Sequence, residues 1–225
     1  MQQIPLDFTA AAQPALDNFV AGANAEVLST VGALAVGAGS ERCVCLWGPP
    51  GSGRTHLLRA AVAQVREAGG SALYAHAPLP DAEDAAGALL AIDDIETLDA
   101  SAQVRLFSLL DAAARGELRL LLAAANAPTA LPLREDVRTR VALGLVLQVR
   151  PLTDEQKREA LAAHAHARSF DLPREVLDYL LVHGRRDLPS LMAVLDAADR
   201  YSLQTKRAVS LALVREVLER TRRGD

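Results

Sequence analysis

Short continuous apolar runs alternate with apolar stripes of helical spacing as far as Pro151; beyond it only the stripes continue. The runs cover Arg42–Trp47, Ser71–His76, Ala88–Asp94, Leu118–Ala124 and Leu143–Val149. Their length and bare hydrophobicity predict buried parallel strands. Between them the spacing predicts helices over Asn24–Val36, Thr55–Ala68 and Ser101–Arg115, the last with Val104, Phe107, Leu110 and Ala114 on one face. Asn24 reads as the N-cap of the first helix, and Gly37-Ala38-Gly39 and Gly69-Gly70 as helix stops. Pro78-Leu79-Pro80 is a loop, and Asp81–Ala88 is at most a short helix. Strands alternating with helices predict an α/β fold, a parallel sheet flanked by helices. After Pro151 four helices are expected, over 154–168, 173–183, 187–202 and 209–222. Thr153 followed by Gln156 is a capping-box start for the first of them. The expected organisation is an extension over 1–23, an α/β domain over 24–151 and a four-helix domain over 152–225.

The first strand runs directly into Gly48-Pro49-Pro50-Gly51-Ser52-Gly53-Arg54-Thr55. This is G-x-x-x-x-G-K-[ST] with Arg in the Lys position. Strand, glycine loop and helix N-terminus are what a polyphosphate site requires, because backbone N–H groups turn inward around the anion. Thr55 can offer its hydroxyl to Mg²⁺, and Arg54 keeps the charge as a planar fork rather than a compact ammonium. The bland alternative is an ordinary Gly/Pro turn. The motif therefore predicts nucleotide binding and leaves hydrolysis open.

The third run ends in Asp93-Asp94, where Asp93 can hold a metal-bound water beside Thr55 and Asp94 can orient an attacking water. Many nucleotide hydrolases carry Glu at the second position. Asn126 closes the next strand, where a neutral amide can meet a γ-phosphate or a lytic water; Asn-Ala-Pro is also plain turn chemistry. Arg134, Arg138 and Arg140 precede the last strand, and Arg185 and Arg186 precede the third helix of the bundle. Each can stabilise phosphate charge or simply lie on a solvated face.

Composition narrows the partners. In 225 residues, half are apolar but only 4% aromatic, so the core is Ala, Leu and Val; the formal charge of −4 argues against a nucleic-acid coat. Cys43 and Cys45 share one face of a strand, are poorly placed for a mutual disulfide, and read as small core residues of a reducing compartment. The five histidines form no metal or hydrolase signature, and His164 and His166 read as structural or exposed. With no signal peptide or membrane-length apolar window, a cytoplasmic protein without membrane contact is expected.

Phosphate loop, paired Asp, strand-end Asn, Thr139-Arg140 and Gly184-Arg185-Arg186-Asp187-Leu188 together resemble the AAA+ ATPase module, and within it the bacterial replication initiator DnaA. Asp17–Asn24 resembles the initiator segment that lies against the adenine, Leu90–Ile95 its Walker B strand, and Val137-Arg138-Thr139-Arg140 its box VII. The resemblance stops with the lid and includes no helix-turn-helix, so direct sequence-specific DNA binding is not expected. What remains is similar to Hda proteins, DnaA-related regulatory inactivators, which share the Gly-Arg-Thr loop. Gln3-Ile4-Pro5-Leu6-Asp7-Phe8 is similar to peptides that dock on the DNA polymerase sliding clamp. The resemblance implies ADP or ATP held by Asn18, Phe19, Val20, Pro49, Pro50, Gly51, Ser52, Gly53, Arg54, Thr55, His56 and Arg186 (sensor 2). It implies Mg²⁺ at Thr55 and Asp93, with Asp94, Asn126 (sensor 1) and Arg140 (an arginine finger acting in trans) carrying catalysis. Gln3, Ile4, Leu6 and Phe8 would contact the clamp, DnaA would be the regulated partner, and self-association is left open. The expected function is negative regulation of replication initiation, with weak or no ATPase of its own. The alternative is an AAA+ ATPase that loads or remodels a partner such as a replicative helicase.

Overall fold

The computed structural model describes residues 13–168, 170, 172–185 and 187–223, in two units: Pro14–Pro151, and the segment from Leu152 onward. The first unit contains α1 (Ala25–Val36), β1 (Cys43–Trp47), α2 (Arg54–Glu67), β2 (Ala72–Ala75), β3 (Leu89–Ile92), α3 (Ala100–Ala114), β4 (Arg119–Ala124), α4 (Glu135–Leu143) and β5 (Leu145–Gln148). Every strand pairing is parallel, in the order β2-β3-β4-β1-β5. Alternation along each strand splits the core. Val44, Leu46, Leu121 and Ala123 face α1 and α2, packing with Val31, Leu57 and Leu58. Cys45, Leu90, Ile92, Leu120 and Leu122 face the other way, with Leu106 and Leu109 of α3 and Val137 and Val141 of α4. The cysteines sit where expected, and burial pushes both thiols up to about 12.

One local expectation changes. Asn24 makes no side-chain cap on α1. Its amide instead donates to the Arg150 carbonyl at 2.9 Å, and its Oδ1 accepts the Arg150 N–H at 2.7 Å. A buried amide satisfied on both sides by a distant backbone outcompetes one exposed cap bond. Asp81–Ala88 contains turns and no helix, so β2 and β3 are joined without a helix. The structure also adds α4, a helix not foreseen, which carries Arg138 and Arg140 ahead of β5 and has Arg134 at its N-cap.

The second unit is helical: α5 (Asp154–Ala167), α6 (Arg174–His183), α7 (Leu188–Thr205) and α8 (Leu211–Arg223). Thr153 and Gln156 form the full capping box of α5. Asp187 caps α7 through Ser190 N–H at 2.9 Å, with Pro189 in the first turn, where its missing N–H costs nothing. Leu161, Val176, Leu180, Leu191, Leu195, Leu213 and Val214 make a separate apolar core. His164 is structural: its Nε2 lies 2.6 Å from buried Asp196, which Arg168 also meets at 3.0 Å. No helix among the described residues is long and apolar enough to cross a membrane.

Candidate nucleotide site

The loop leaves β1 at the carboxyl edge of the sheet. Gly48 N–H donates to the Ala124 carbonyl at 3.2 Å and Val149 N–H to the Trp47 carbonyl at 2.7 Å, so the ends of β4 and β5 frame its start. A side chain at Gly48 would collide with the Val149 carbonyl at 2.3 Å. Gly51 and Gly53 turn the chain through φ of +79° and +103°, which L side chains rarely adopt, and α2 starts at Arg54. The Pro49 carbonyl accepts Ser52 N–H at 3.2 Å, and Pro49, Pro50 and Gly51 are exposed.

The segment resembling the adenine-side motif folds onto this loop. Phe19 lies against Gly53, where an added Cβ would come within 2.7 Å of its ring, and Phe19 stacks at a tilt on His56 with centroids 5.5 Å apart. His56 Nε2 is 3.0 Å from the Ala15 carbonyl, and Asn18 Oδ1 accepts Ala15 N–H at 3.1 Å. Val20 is half-buried beside them in sequence.

Asp93, only 2% exposed, follows β3 and is held by three donors. Thr55 Oγ1 donates to its Oδ2 at 2.7 Å, Tyr74 Oη donates to the same oxygen at 2.9 Å, and Asp94 N–H donates to Oδ1 at 3.1 Å. Among the described residues no ion pair links Asp93 to a cation, so its buried charge rests on hydrogen bonds alone. Asp94 has the left-handed conformation, φ 48° and ψ 49°, which Asp and Asn tolerate better than most residues. Its carboxylate stands 4.0 Å from Arg54 Nη2.

The chemistry of these groups fits a polyphosphate and a divalent cation. Arg54 Nη1 and Ser52 Oγ are buried without a partner, donors in want of an acceptor. Thr55 is exposed with its hydroxyl oxygen beside a preset carboxylate. Among the described residues no cluster of three His, Cys, Asp or Glu could cage a metal, as suits a cation carried mainly by phosphate oxygens and water.

Asn126 is exposed just past β4. The preceding residue, Ala125, donates its N–H to Glu96 Oε1 at 2.9 Å, tying the strand end to the turn after Asp94. Arg140 is elsewhere: it pairs with Asp111 and lies 4.2 Å over the Phe107 ring, both on α3. A shallow depression there is lined by Phe107, Arg134, Thr139, Arg140 and Leu143, the last 82% exposed. Arg134 pairs with Asp136 at 2.6 Å, and Arg138 is half-buried. Gln3, Ile4, Leu6, Phe8 and Arg186 lie outside the described residues.

The structure thus brings Phe19, His56, the loop, Thr55, Asp93 and Asp94 together and keeps Arg140 on the α3–α4 face. Sequence reasoning missed Tyr74, Glu96 and Asp111. Tyr74 alone left a trace: strand alternation puts it on one face with His76, but only the β2–β3 pairing carries it to Asp93.

Residues 154–218 match the family described as "Hda, lid domain". Domain III of the Thermotoga maritima replication initiation protein DnaA superposes with a TM-score of 0.74 at 20% identity, covering 97% of this chain and 98% of that one. AMPPCP-bound DnaA from Aquifex aeolicus gives 0.66 at 20% identity, over 86% of this chain and 70% of that one. The Thermotoga maritima RuvB Holliday junction branch migration motor gives 0.66 at 18% identity, over 93% and 72%. The fold is that of AAA+ proteins, as the sequence resemblance implied. The chain therefore joins a segment that matches the Hda lid family to a unit with the fold of DnaA domain III.

Proposed function

We propose that this chain is a nucleotide-holding adaptor that restrains replication by making DnaA hydrolyse its ATP. Residues 3–8 dock on the sliding clamp, and the domain over 24–151 holds ADP or ATP. Arg140 enters the ATP site of DnaA. The observation that carries this reading is the position of Arg140. Its partners are Asp111 and Phe107 rather than its own phosphate loop, on a face that exposes Leu143. A guanidinium delivered in trans stabilises transition-state charge and raises hydrolysis by roughly 10³–10⁵.

In the chain's own site the roles differ. The loop N–H groups, Ser52 and Arg54 would bind phosphate oxygens, and Phe19 and His56 would wall the base. A Mg²⁺ held near Thr55 and Asp93 would neutralise phosphate charge. Arg54 in the Lys position and Asp94 where many nucleotide hydrolases carry Glu favour holding nucleotide over turning it over. The preset Thr55–Asp93 contact favours the alternative of an ATPase acting on another partner, and intrinsic turnover without clamp would support it.

The test is ATP hydrolysis by DnaA in the presence of clamp and DNA. Arg140→Ala should abolish stimulation while melting like the parent, and Leu6→Ala/Phe8→Ala should lose both clamp retention and stimulation. Normal stimulation by Arg140→Ala would sink the finger assignment.

A further inference from the structure

Asp93 is a buried carboxylate whose Oδ2 is saturated by two hydroxyls, one from the phosphate-loop helix and one from the neighbouring strand. The second is unusual in its source. Tyr74 sits on β2, opposite Ala91 in the register with β3, and reaches along the sheet face to Asp93. Its own oxygen lies 3.1 Å from His76 Nε2, and the rings meet edge to face at 5.3 Å. Since the tyrosine proton is given to Asp93, the imidazole donates, so His76 Nε2 carries hydrogen. The result is a directed chain, His76 to Tyr74 to Asp93, in which each bond strengthens the next. Arg59, on α2, lies 4.9 Å over the Tyr74 ring and fixes its plane.

We propose that Tyr74 is a positioning residue for the divalent cation of the nucleotide site. It occupies the last free lone pair of Asp93 Oδ2, which leaves only Oδ1 to accept a cation-bound water. It thereby fixes the rotation of the carboxylate that, with Thr55, would hold the cation. The assignment rests on the nucleotide-site reading, and partners of this outer kind commonly account for 10–100-fold in metal affinity.

The experiment is calorimetric titration of ADP into the full chain, once with Mg²⁺ and once with EDTA. The quantity read is the affinity gained on adding Mg²⁺. In Tyr74→Phe that gain should shrink by about tenfold or more, while the affinity in EDTA stays at the parental value. A side chain that merely filled space would leave the Mg²⁺ gain at its parental value, because Phe keeps the ring. An equal Mg²⁺ gain in parent and Tyr74→Phe overturns the role of Tyr74 alone; failure of the parent to bind ADP under either condition overturns the nucleotide site itself. Were Tyr74→Phe not to fold, exposed His76→Ala decides: a reduced Mg²⁺ gain supports the assignment, and an unchanged one overturns it.

Discussion

At the scale of single residues, the site is governed by where charge is buried and what meets it. Arg54 differs from the usual Lys in reach and in shape. Its fork stands 4.0 Å from Asp94 with one nitrogen and leaves another buried without a hydrogen-bond partner, so a phosphate bound there would meet a donor already desolvated. Asp94 is not simply a shortened Glu. Its left-handed backbone disfavours longer side chains, so restoring Glu there would add strain as well as length. The thiols show the same logic without function. Cys45 is fully buried, and its pKa is raised from 9.0 to about 12, chiefly by burial. A raised value in the folded state means full stability below the unfolded value near 9, lost as pH climbs towards about 12. Urea midpoints measured from pH 8 upward should therefore fall more steeply for the parent than for Cys45→Ala. Parallel curves would show that the thiol ionises without unfolding.

At the scale of elements, most of the fold could be read from the chain because its signals are local. The apolar runs located all five strands, and Thr153 with Gln156 announced α5 to the residue. What could not be read depended on pairing at a distance. Asn24 carries every mark of a cap, yet its partner is 126 positions away, and no local pattern reveals that. Tyr74 and Glu96 reach Asp93 and Ala125 only because β2, β3 and β4 are neighbours. The Asn24 clasp has a measurable weight. Removing two buried hydrogen bonds to backbone should cost about 2–4 kcal/mol, clearly more than the ~1 kcal/mol of an exposed cap. Asn24→Ala compared with Thr153→Ala in chemical denaturation checks the order. Equal losses would return Asn24 to the rank of a simple cap.

At the scale of the whole molecule, two units with separate cores imply two stabilities in one chain. The nucleotide contacts proposed for Phe19, the loop and Asp93 all belong to the first unit. A ligand that binds only the folded form raises stability by about 2.7 kcal/mol at a hundredfold excess over Kd. Scanning calorimetry with ADP should move the α/β transition upward more than that of the helical unit. An equal shift of both, or a single shared transition, would mean that the units unfold as one. The bond pair between Asn24 and Arg150 also has a topological meaning for the α/β unit. It stitches the beginning of that unit to its end, so the chain arrives and departs through a single gate. Such a unit is a closed circuit in space, though linear in sequence. Its sheet order would survive if the circuit were joined at the gate and reopened at an exposed turn such as Gly116, because no strand pairing depends on which side of the gate comes first.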